Sequence, residues 1–274
     1  MNKSIQVSGV EIGNKKKLTL IAGLNILESE EQTLMVAKYL EKVLSKTGHP
    51  FIFKASFDKA NRSSVNSYRG LGFDKSISIF KTLKEENFNL ITDVHEINQI
   101  EKISEIIDVI QIPAFLCRQT DLIKAACETN KPLNIKKGQF LSPEQIENIL
   151  DKCSSFNNEN IMICERGTSF GYNNLVVDML GISKMKEFGA PIIFDVTHSL
   201  QLPGGAGTSA GGRSSQALEL ALSGTALGIA GIFIEVHPDP LNALCDGPSA
   251  TKLDAFEALI DKVSLLDNLV KNFK

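Results

Sequence analysis

The sequence predicts an α/β protein with the (β/α)8 TIM-barrel fold. Short runs rich in Ile, Val, Leu and Phe alternate with longer amphipathic segments, and eight such runs occur along the 274 residues. The runs are nearly continuous in apolar residues, as expected of parallel strands that are buried on both faces. A closed barrel accounts for eight strand–helix units in a chain of this length better than an open dinucleotide-binding sheet does.

The predicted elements follow in regular order. The eight predicted strands are Leu18–Asn25, Pro50–Phe57, Leu90–Glu96, Val109–Ala114, Pro132–Lys137, Ile161–Gly167, Pro191–His198 and Gly231–Pro238. Helical patterns between them include Glu30–Ser45, Phe73–Glu86, Pro143–Cys153, Leu175–Phe188 and Ser215–Leu227. The alternating residues of Ile5–Lys16 predict a hairpin that closes the bottom of the barrel. We therefore assign residues 1–274 to one domain, with 1–17 as its N-terminal hairpin extension.

Composition excludes several classes of function. The formal net charge of −3 argues against partners such as nucleic acid or an anionic membrane surface, so any anion site must be local. The five cysteines form no C-x-x-C pair, which favours reduced thiols and a cytoplasmic location. The N-terminal residues lack the apolar run of a signal peptide, and no uncharged stretch reaches the length of a membrane-spanning helix.

The segment Pro203–Gly212 is unusually rich in glycine. It contains a G-x-G-x-x-A match at Gly205, Gly207 and Ala210, but this match lies past its strand and lacks the acidic partner of a dinucleotide site. A mobile lid over the barrel mouth is the better interpretation, and a passive linker is the alternative.

Polar residues gather where the predicted strands end. In a barrel these ends form the active site, and any one polar residue there can instead be a capping group. The strand-end residues are Asn25, Lys54, Ser56, Asp93, His95, Gln111, Lys136 or Lys137, Arg166, Asp195, His198, Glu235 and His237. Burying so many charges without a substrate would cost several kcal/mol per unpaired ion, so the set predicts one site.

Two groups of basic residues predict anion binding. Lys54, Lys136 and Arg166 converge from three strands and suit a carboxylate or a phosphate. A second group follows strand two in Asp58–Ser64, where Arg62 and the neighbouring hydroxyls favour a phosphate-binding site, called the phosphate grip below. An ordinary solvated loop is the alternative for this second group.

Three side chains near the end of the chain have the chemistry of metal ligands. His198, Glu235 and Asp246 offer nitrogen and oxygen donors, and a catalytic metal would need a fourth. The obvious fourth residue is Asn25, a weak ligand, so the residues themselves support metal binding only weakly.

Ten segments, in order, resemble the 3-deoxy-D-manno-octulosonate 8-phosphate synthase family over about Leu20 to Lys271. They are AGLNILES (Ala22–Ser29), FKASFDKANRSS (Phe53–Ser64), SYRG (Ser67–Gly70), ITDVHE (Ile91–Glu96), IQIPAFLCRQTDL (Ile110–Leu122), NIKKGQF (Asn134–Phe140), CERGTSFGYNNLVVDM (Cys164–Met179), FDVTHSLQ (Phe194–Gln201), IEVHPDP (Ile234–Pro240) and CDGPSA (Cys245–Ala250).

The resemblance implies a transferase that condenses phosphoenolpyruvate with D-arabinose 5-phosphate and water, releasing inorganic phosphate in Kdo and lipopolysaccharide biosynthesis. It further implies that Lys54, Ser56, Lys136 and Arg166, with Gln111 nearby, bind phosphoenolpyruvate. Lys59, Asn61 and Asp93 would contact the sugar chain, and Arg62 and Ser63 would grip its phosphate. In this family the grip comes from a neighbouring subunit of a homotetramer.

For the reaction itself, the resemblance implies that Lys136 protonates the developing alkoxide, while Asn25, His198, Glu235 and Asp246 orient the attacking water. The family has metal-dependent members with Cys at the strand-one position and metal-independent members with Asn. Asn25 and CDGPSA favour the metal-independent class, so we expect no cofactor. The segment QLPGGAG (Gln201–Gly207) is closer to the metal-dependent class and keeps a divalent metal at His198, Glu235 and Asp246 as the alternative.

Three other functions remain as alternatives. A sister phosphoenolpyruvate-dependent synthase would use another aldehyde, such as erythrose 4-phosphate, but the run Lys59–Ser64 favours arabinose 5-phosphate. A Schiff-base aldolase would use a strand-end lysine such as Lys136. A sugar-phosphate binding protein without catalysis would not release phosphate from the two substrates.

Overall fold

The computed structural model describes residues 3–204 and 211–273. Eight parallel strands close into a barrel: Thr19–Ile26, Phe51–Ser56, Leu90–Asp93, Val109–Ile112, Leu133–Lys136, Ile161–Glu165, Ile192–Asp195 and Gly231–His237. Neighbouring strands pair in sequence order, and the eighth strand pairs with both the first and the seventh. The predicted (β/α)8 barrel is thus confirmed, and these are barrel strands one to eight below.

Helices surround the barrel. They are α1 (Glu30–Thr47), α2 (Phe73–Glu85), α3 (Ile97–Ser104), α4 (Thr120–Glu128), α5 (Gln145–Ser155), α6 (Met179–Glu187), α7 (Val196–Ser199), α8 (Ala217–Thr225) and α9 (Phe256–Lys271). Helix α1 shows how individual residues determine where a helix begins and ends. Ser29 accepts a hydrogen bond from the Gln32 backbone N–H at 3.2 Å, and Gly48 ends the helix with φ of 67°.

Two apolar cores hold the layers together. The larger one lies between the barrel strands and the outer helices. The smaller one fills the barrel's lower interior, where Ile21, Ile91 and Phe233 pack in one cluster with Ile5 and Ile12 of the N-terminal hairpin. The hairpin strands Ser4–Val7 and Val10–Gly13 pair antiparallel, as predicted, and their buried side chains close this end of the barrel.

Strands three and seven each end three residues earlier than predicted, at Asp93 instead of Glu96 and at Asp195 instead of His198. Strand seven stops at Asp195, and Val196–Ser199 forms a single helical turn instead of continuing the strand to His198. The Asp195 carboxylate accepts a hydrogen bond from the His198 backbone N–H at 2.9 Å and so caps this turn. The apolar pattern did not reveal the turn because Val196 is as buried as the strand residues before it.

Short pairings complete the structure at the barrel mouth. Thr168–Ser169 pairs antiparallel with Leu175–Val176, Gln201–Leu202 pairs antiparallel with Gly211–Gly212, and Thr251–Lys252 extends the sheet beside strand eight. Single turns of 3₁₀ helix span Ala114–Leu116, Ser214–Gln216, Pro240–Asn242, Gly247–Ser249 and Leu253–Ala255. The predicted lid Pro203–Gly212 falls largely on residues 205–210, which lie outside the described residues together with the G-x-G-x-x-A match.

Candidate active site

A cavity of about 360 Å³ opens at the carboxyl ends of the barrel strands. Its lining includes the predicted site residues Lys59, Asn61, Asp93, Gln111, Lys136, Arg166 and His198. A larger hollow of about 560 Å³ lies beside it, between the loop after strand two and the start of α3. That hollow lacks the buried charges described below, so we place the chemistry in the smaller cavity.

Lys54, Glu235 and Asn25 form the first buried group. The Lys54 ammonium lies 2.5 Å from a Glu235 carboxylate oxygen and 3.1 Å from the Asn25 carbonyl oxygen. The Asn25 amide nitrogen donates to the other Glu235 oxygen at 2.5 Å and to Asp246 at 3.2 Å. The pairing of strands one and two shifts register between Gly23 and Ile26, and such an irregularity re-aims the side chains that leave the barrel here.

Lys136, Asp195 and His198 form the second group, on strand five, strand seven and the helical turn α7 that follows it. The Lys136 ammonium lies 2.6 Å from an Asp195 oxygen, and the same oxygen lies 2.8 Å from the His198 Nδ1 atom. The Phe233 ring lies beneath the Lys136 ammonium, 3.9 Å from it, and is a favourable partner for a cation. The second ring nitrogen of His198, Nε2, lies 3.7 Å from a Glu235 oxygen, so the first and second groups are neighbours.

Arg166, Gln201 and Asp246 form the third group. Arg166 donates one hydrogen bond from Nη2 to the Gln201 side-chain oxygen at 3.0 Å. The Gln201 amide nitrogen donates in turn to Asp246 at 3.0 Å. The Nε and Nη1 atoms of Arg166 are buried, and the described residues provide no partner for them. Arg166 therefore keeps two donor groups that suit an incoming anion.

Asp93 is the centre of a fourth group. It accepts a short hydrogen bond from the Ser56 hydroxyl and lies 3.1 Å from His95 Nε2. His95 lines the cavity but is missing from the residues to which sequence analysis gave a role. On the next strand Gln111 accepts a hydrogen bond from Asn134 at 3.2 Å, and Asn134 is a buried polar residue that the sequence analysis did not single out.

The loop after strand two is only partly joined to the cavity. Lys59 is buried and lines it beside Asn61, whereas the Ser63 side chain is exposed. Arg62 points towards the segment after strand eight: its Nη1 lies 2.5 Å from the Cys245 sulfur and 3.7 Å from Asp246. Within this chain, the predicted phosphate grip of Arg62 and Ser63 is thus not assembled around the cavity.

Electrostatics keep the carboxylates of this site ionised. Burial alone would raise the pKa of Glu235, but Lys54 and His198 outweigh it and hold that pKa below its usual range. Burial likewise opposes ionisation of Asp195, yet His198 and Lys136 hold its pKa far below the usual value. Burial lowers the pKa of His198 despite its acidic neighbours, and lowers the pKa of Lys54 to about 8. At pH 7 the site therefore contains a neutral imidazole between ionised carboxylates.

The possible metal ligands are arranged as a hydrogen-bonded set. In residues 3–204 and 211–273 no three His, Cys, Asp or Glu side chains are close enough together to hold a metal ion. The N–H groups of Asn25 face both Glu235 and Asp246, where a cation would need oxygen or sulfur donors instead. In this arrangement the residues present do not fit a metal, and the Asn25 amide satisfies the two carboxylates.

Sequence analysis included His95 among the strand-end residues but gave it no role, and it did not single out Gln201. Both lie within the family-like segments FDVTHSLQ and ITDVHE, so a signal was present. Their importance became visible only through their contacts: Gln201 bonds to Arg166 and Asp246, which come from other segments, and His95 lies beside Asp93 at the end of the same strand.

The sequence of this chain is similar to a known protein family and to named proteins over nearly its whole length. A family model described as the DAHP synthetase I family matches residues 2–272. A protein of Hahella chejuensis named 2-dehydro-3-deoxyphosphooctonate aldolase is 52% identical over 272 residues, which is 99% of this chain and 97% of that protein. Proteins of the same name from Shewanella pealeana and Shewanella halifaxensis are each 53% identical, over 100% of this chain and 97% of theirs. Since the match extends over almost every described residue, including all four buried groups, the chain belongs to the DAHP synthetase I family.

Proposed function

We propose that this chain is a transferase that condenses phosphoenolpyruvate with D-arabinose 5-phosphate and water, giving 3-deoxy-D-manno-octulosonate 8-phosphate and inorganic phosphate. The names of its relatives refer to a 2-dehydro-3-deoxyphosphooctonate, which is the same eight-carbon oxo-acid phosphate. The observation that carries the proposal is Arg166, a buried guanidinium in a cavity that Lys136 also lines, with two donor groups that have no partner in residues 3–204 and 211–273. Such a site binds a small, highly anionic substrate.

The reaction divides into steps that these residues can assist. Carbon 3 of phosphoenolpyruvate forms a bond to the sugar aldehyde, and the aldehyde oxygen takes a proton from the Lys136 ammonium. Water adds to carbon 2 of the enolpyruvate unit, and the carbon–oxygen bond to phosphate breaks as the keto group forms. Of the two protons that the water loses, one restores the Lys136 ammonium and the other goes to the departing phosphate. We assign the orientation of this water to Asn25, His198, Glu235 and Asp246, which lie together beside Lys54.

The substrate-binding roles that we propose are those implied by the family resemblance. Lys54, Ser56, Gln111 and Arg166 are assigned to phosphoenolpyruvate, and Lys59, Asn61 and Asp93 to the sugar chain. Burial lowers the pKa of Lys59, but Glu235 and Asp93 outweigh it and raise that pKa above its usual value, so Lys59 remains a cation. A permanent cation at the cavity wall suits a phosphorylated sugar.

We further propose that the enzyme belongs to the metal-independent, Asn-type class and needs no cofactor. The support is the pair of hydrogen bonds from Asn25 to Glu235 and Asp246, which occupy the direction from which both carboxylates would bind a cation. A location in the cytoplasm, where phosphoenolpyruvate is made, is part of the same proposal. Within the described part of the chain, no helix is both long and apolar enough to span a bilayer.

A homotetramer that completes the site is also proposed. Apolar side chains lie exposed on the segments that follow the barrel strands, up to the first turn of α6: Phe115, Phe140, Phe170, Tyr172, Val176 and Leu180. An exposed apolar surface of this kind is typical of a protein interface. Sedimentation of the wild type, and of a Phe170→Ser variant, tests this: we expect a tetramer for the first and a smaller species for the second.

The experiment that tests the function is an assay of phosphate release with phosphoenolpyruvate and a panel of aldose phosphates, with and without EDTA. We expect release with arabinose 5-phosphate, no release with either substrate alone, and no effect of EDTA. A higher kcat/KM for erythrose 4-phosphate would move the assignment to the sister synthases. Borohydride inactivation in the presence of substrate would instead indicate a Schiff base, which needs a free lysine lone pair where Lys136 is now held by Asp195.

A further inference from the structure

We propose that Gln201 is a positioning residue that keeps Arg166 and Asp246 apart and aligned, so that the anion site and the water-orienting site form together. The inference deepens the proposed function, on which it rests. Gln201 is buried, 9% exposed, and its side-chain amide is the only link between the two charged groups among the described contacts.

The orientation of the Gln201 amide is set by its two partners. Its oxygen accepts from Arg166 Nη2 at 3.0 Å, and its nitrogen donates to Asp246 Oδ2 at 3.0 Å. A guanidinium offers only donors and an ionised carboxylate offers only acceptors, so the link needs one acceptor and one donor in a single side chain. An uncharged amide meets this requirement, whereas an ionised glutamate has no donor and a lysine has no acceptor.

The neutral amide also prevents a direct ion pair. Arg166 and Asp246 carry opposite charges in a buried region, where a direct bidentate pair would be favourable. Such a pair would use Nε and Nη1, the guanidinium donors that have no partner in the described part of the chain, and would remove Asp246 from Asn25. By separating the charges, Gln201 leaves two donor groups of Arg166 for an anion and leaves Asp246 in the water-orienting group.

The backbone of Gln201 is fixed on the same side of the barrel. Gln201–Leu202 pairs with Gly211–Gly212, directly at the base of the glycine-rich segment. Gly212 packs so tightly against the segment of Asp246 that a Cβ atom there would lie 2.4 Å from the Pro248 carbonyl oxygen. The strand that carries Gln201 and the turn that carries Asp246 are therefore held together by main-chain contacts as well as by the amide.

The test replaces Gln201 by glutamate, whose hydrogen-bonding groups depend on its protonation state. A protonated Glu side chain has one donor and one acceptor, like Gln, whereas ionised Glu would pair with Arg166 and repel Asp246. For Gln201→Glu we expect the KM for phosphoenolpyruvate to rise at least ~10-fold at pH 8, the scale of losing hydrogen bonds to charged groups. The ratio to the wild type should then recover as the pH falls towards 5.

Two further variants define the result. Gln201→Met removes both hydrogen bonds and should show a raised KM that does not recover at low pH. Gln216→Glu places the same charge on a nearby exposed position and should leave the KM unchanged at every pH. The proposal is overturned if Gln201→Met keeps the wild-type KM, or if Gln201→Glu is equally impaired across the whole pH range.

The failure of this inference can be distinguished from failure of the proposed function. Phosphate release by the wild type with both substrates tests the function alone. Calorimetric titration of each variant with phosphoenolpyruvate, in the absence of any sugar, tests Gln201 without turnover. If the wild type binds but does not turn over, the pH-dependent recovery of Gln201→Glu binding still decides the role of Gln201.

Discussion

The Lys136 ammonium and the Asp195 carboxylate form a buried ion pair with a separation of 2.6 Å. Asp195 has the additional task of orienting His198, because the same oxygen lies 2.8 Å from the imidazole and the other oxygen caps the helical turn that carries it. One carboxylate thus fixes both the proposed proton donor and a proposed water-orienting residue. Its replacement should affect folding and activity together.

We expect Asp195→Asn to lower the free energy of unfolding by about 3–5 kcal/mol, because it leaves Lys136 as a buried cation without its counter-charge. The kcat should fall as well, since the amide no longer holds Lys136 and His198 in place. Urea unfolding and steady-state phosphate release measure the two effects. Asp254→Asn, which breaks the exposed pair with Lys252, is the matched control and should change neither. Unchanged stability of Asp195→Asn would contradict the role of this ion pair.

The Asn25 side chain decides the proposed metal class. Asn25→Cys removes the amide that donates to Glu235 and Asp246 and introduces a thiolate ligand beside them. We therefore expect the purified variant to bind about one Zn²⁺ or Mn²⁺ per chain, because the new thiolate joins one group of ligands, namely His198, Glu235 and Asp246. Metal analysis after dialysis measures it, and the wild type should retain none.

The matched control for this prediction is Asn25→Ser, which removes the same amide without adding a soft ligand. We expect it to bind no metal and to lose activity, because the single hydroxyl proton of a shorter side chain cannot serve both carboxylates as the amide does. A wild type that loses activity in EDTA and regains it with Mn²⁺ would overturn the metal-independent assignment. Equal metal binding by the Cys and Ser variants would show that the thiolate is not the deciding ligand.

The fold could be predicted almost completely from the sequence because each strand is a nearly continuous apolar run, in which polar residues such as Lys54 and Gln111 are few. The change from polar to apolar residues marks where each strand begins, and all eight strands begin within two residues of their predicted start. The strand ends were predicted less well: strands three and seven each stop three residues before their predicted ends, and strand seven shows the reason. Asp195 stops this strand through a hydrogen bond to the His198 N–H, and no pattern in the apolar residues announces that contact.

The sequence predicts which residues belong to the site, but it does not predict which of them form hydrogen bonds or ion pairs with each other. Strand ends identify Lys54 and Glu235 as neighbours of one cavity, yet their ion pair depends on the register between strands one, two and eight. Gln201 gave no chemical signal by itself, because an amide becomes informative only when its donor and acceptor partners are known. Whether Arg62 serves its own barrel or a neighbouring one likewise depends on assembly.

His49 should make stability depend on pH at a position remote from the site. It is buried, its Nδ1 atom lies 2.7 Å from the Leu18 carbonyl oxygen, and Nε2 lies 2.8 Å from the Ser264 hydroxyl. Burial lowers the pKa of His49 below its usual 6.5. The unfolded chain thus binds the proton more readily, so this contribution to stability is complete above pH 6.5 and is lost as the pH falls through the folded-state pKa.

We expect His49→Asn, which keeps a donor for Leu18, to reduce the loss of unfolding free energy between pH 7 and pH 5. The ceiling for one proton is about 1.4 kcal/mol per pH unit, and part of the slope should remain because the pKa of His198 is lowered too. Ser264→Ala keeps the imidazole and should keep most of the slope. An identical slope in the wild type and His49→Asn, measured by urea unfolding at each pH, would argue against this role of His49.

Arg62 provides a test of whether the site is shared between subunits. Its guanidinium lies beside Cys245 and Asp246 of its own chain, away from the cavity wall formed by Lys59 and Asn61. If the neighbouring subunit supplies the phosphate grip, Arg62→Ala and Lys136→Ala should each be nearly inactive alone. The first lacks a donor for its neighbour's sugar phosphate, and the second lacks its own proton donor.

Mixed oligomers of the two variants should then regain activity. An equal mixture, unfolded and refolded together, should recover about a quarter of the wild-type activity: half of the barrels keep Lys136, and half of their neighbours keep Arg62. Each variant refolded alone is the control. If Arg62 acts only on its own barrel, no subunit in the mixture carries both residues and activity stays at the level of the single variants. Recovery on mixing therefore measures directly whether assembly completes the site.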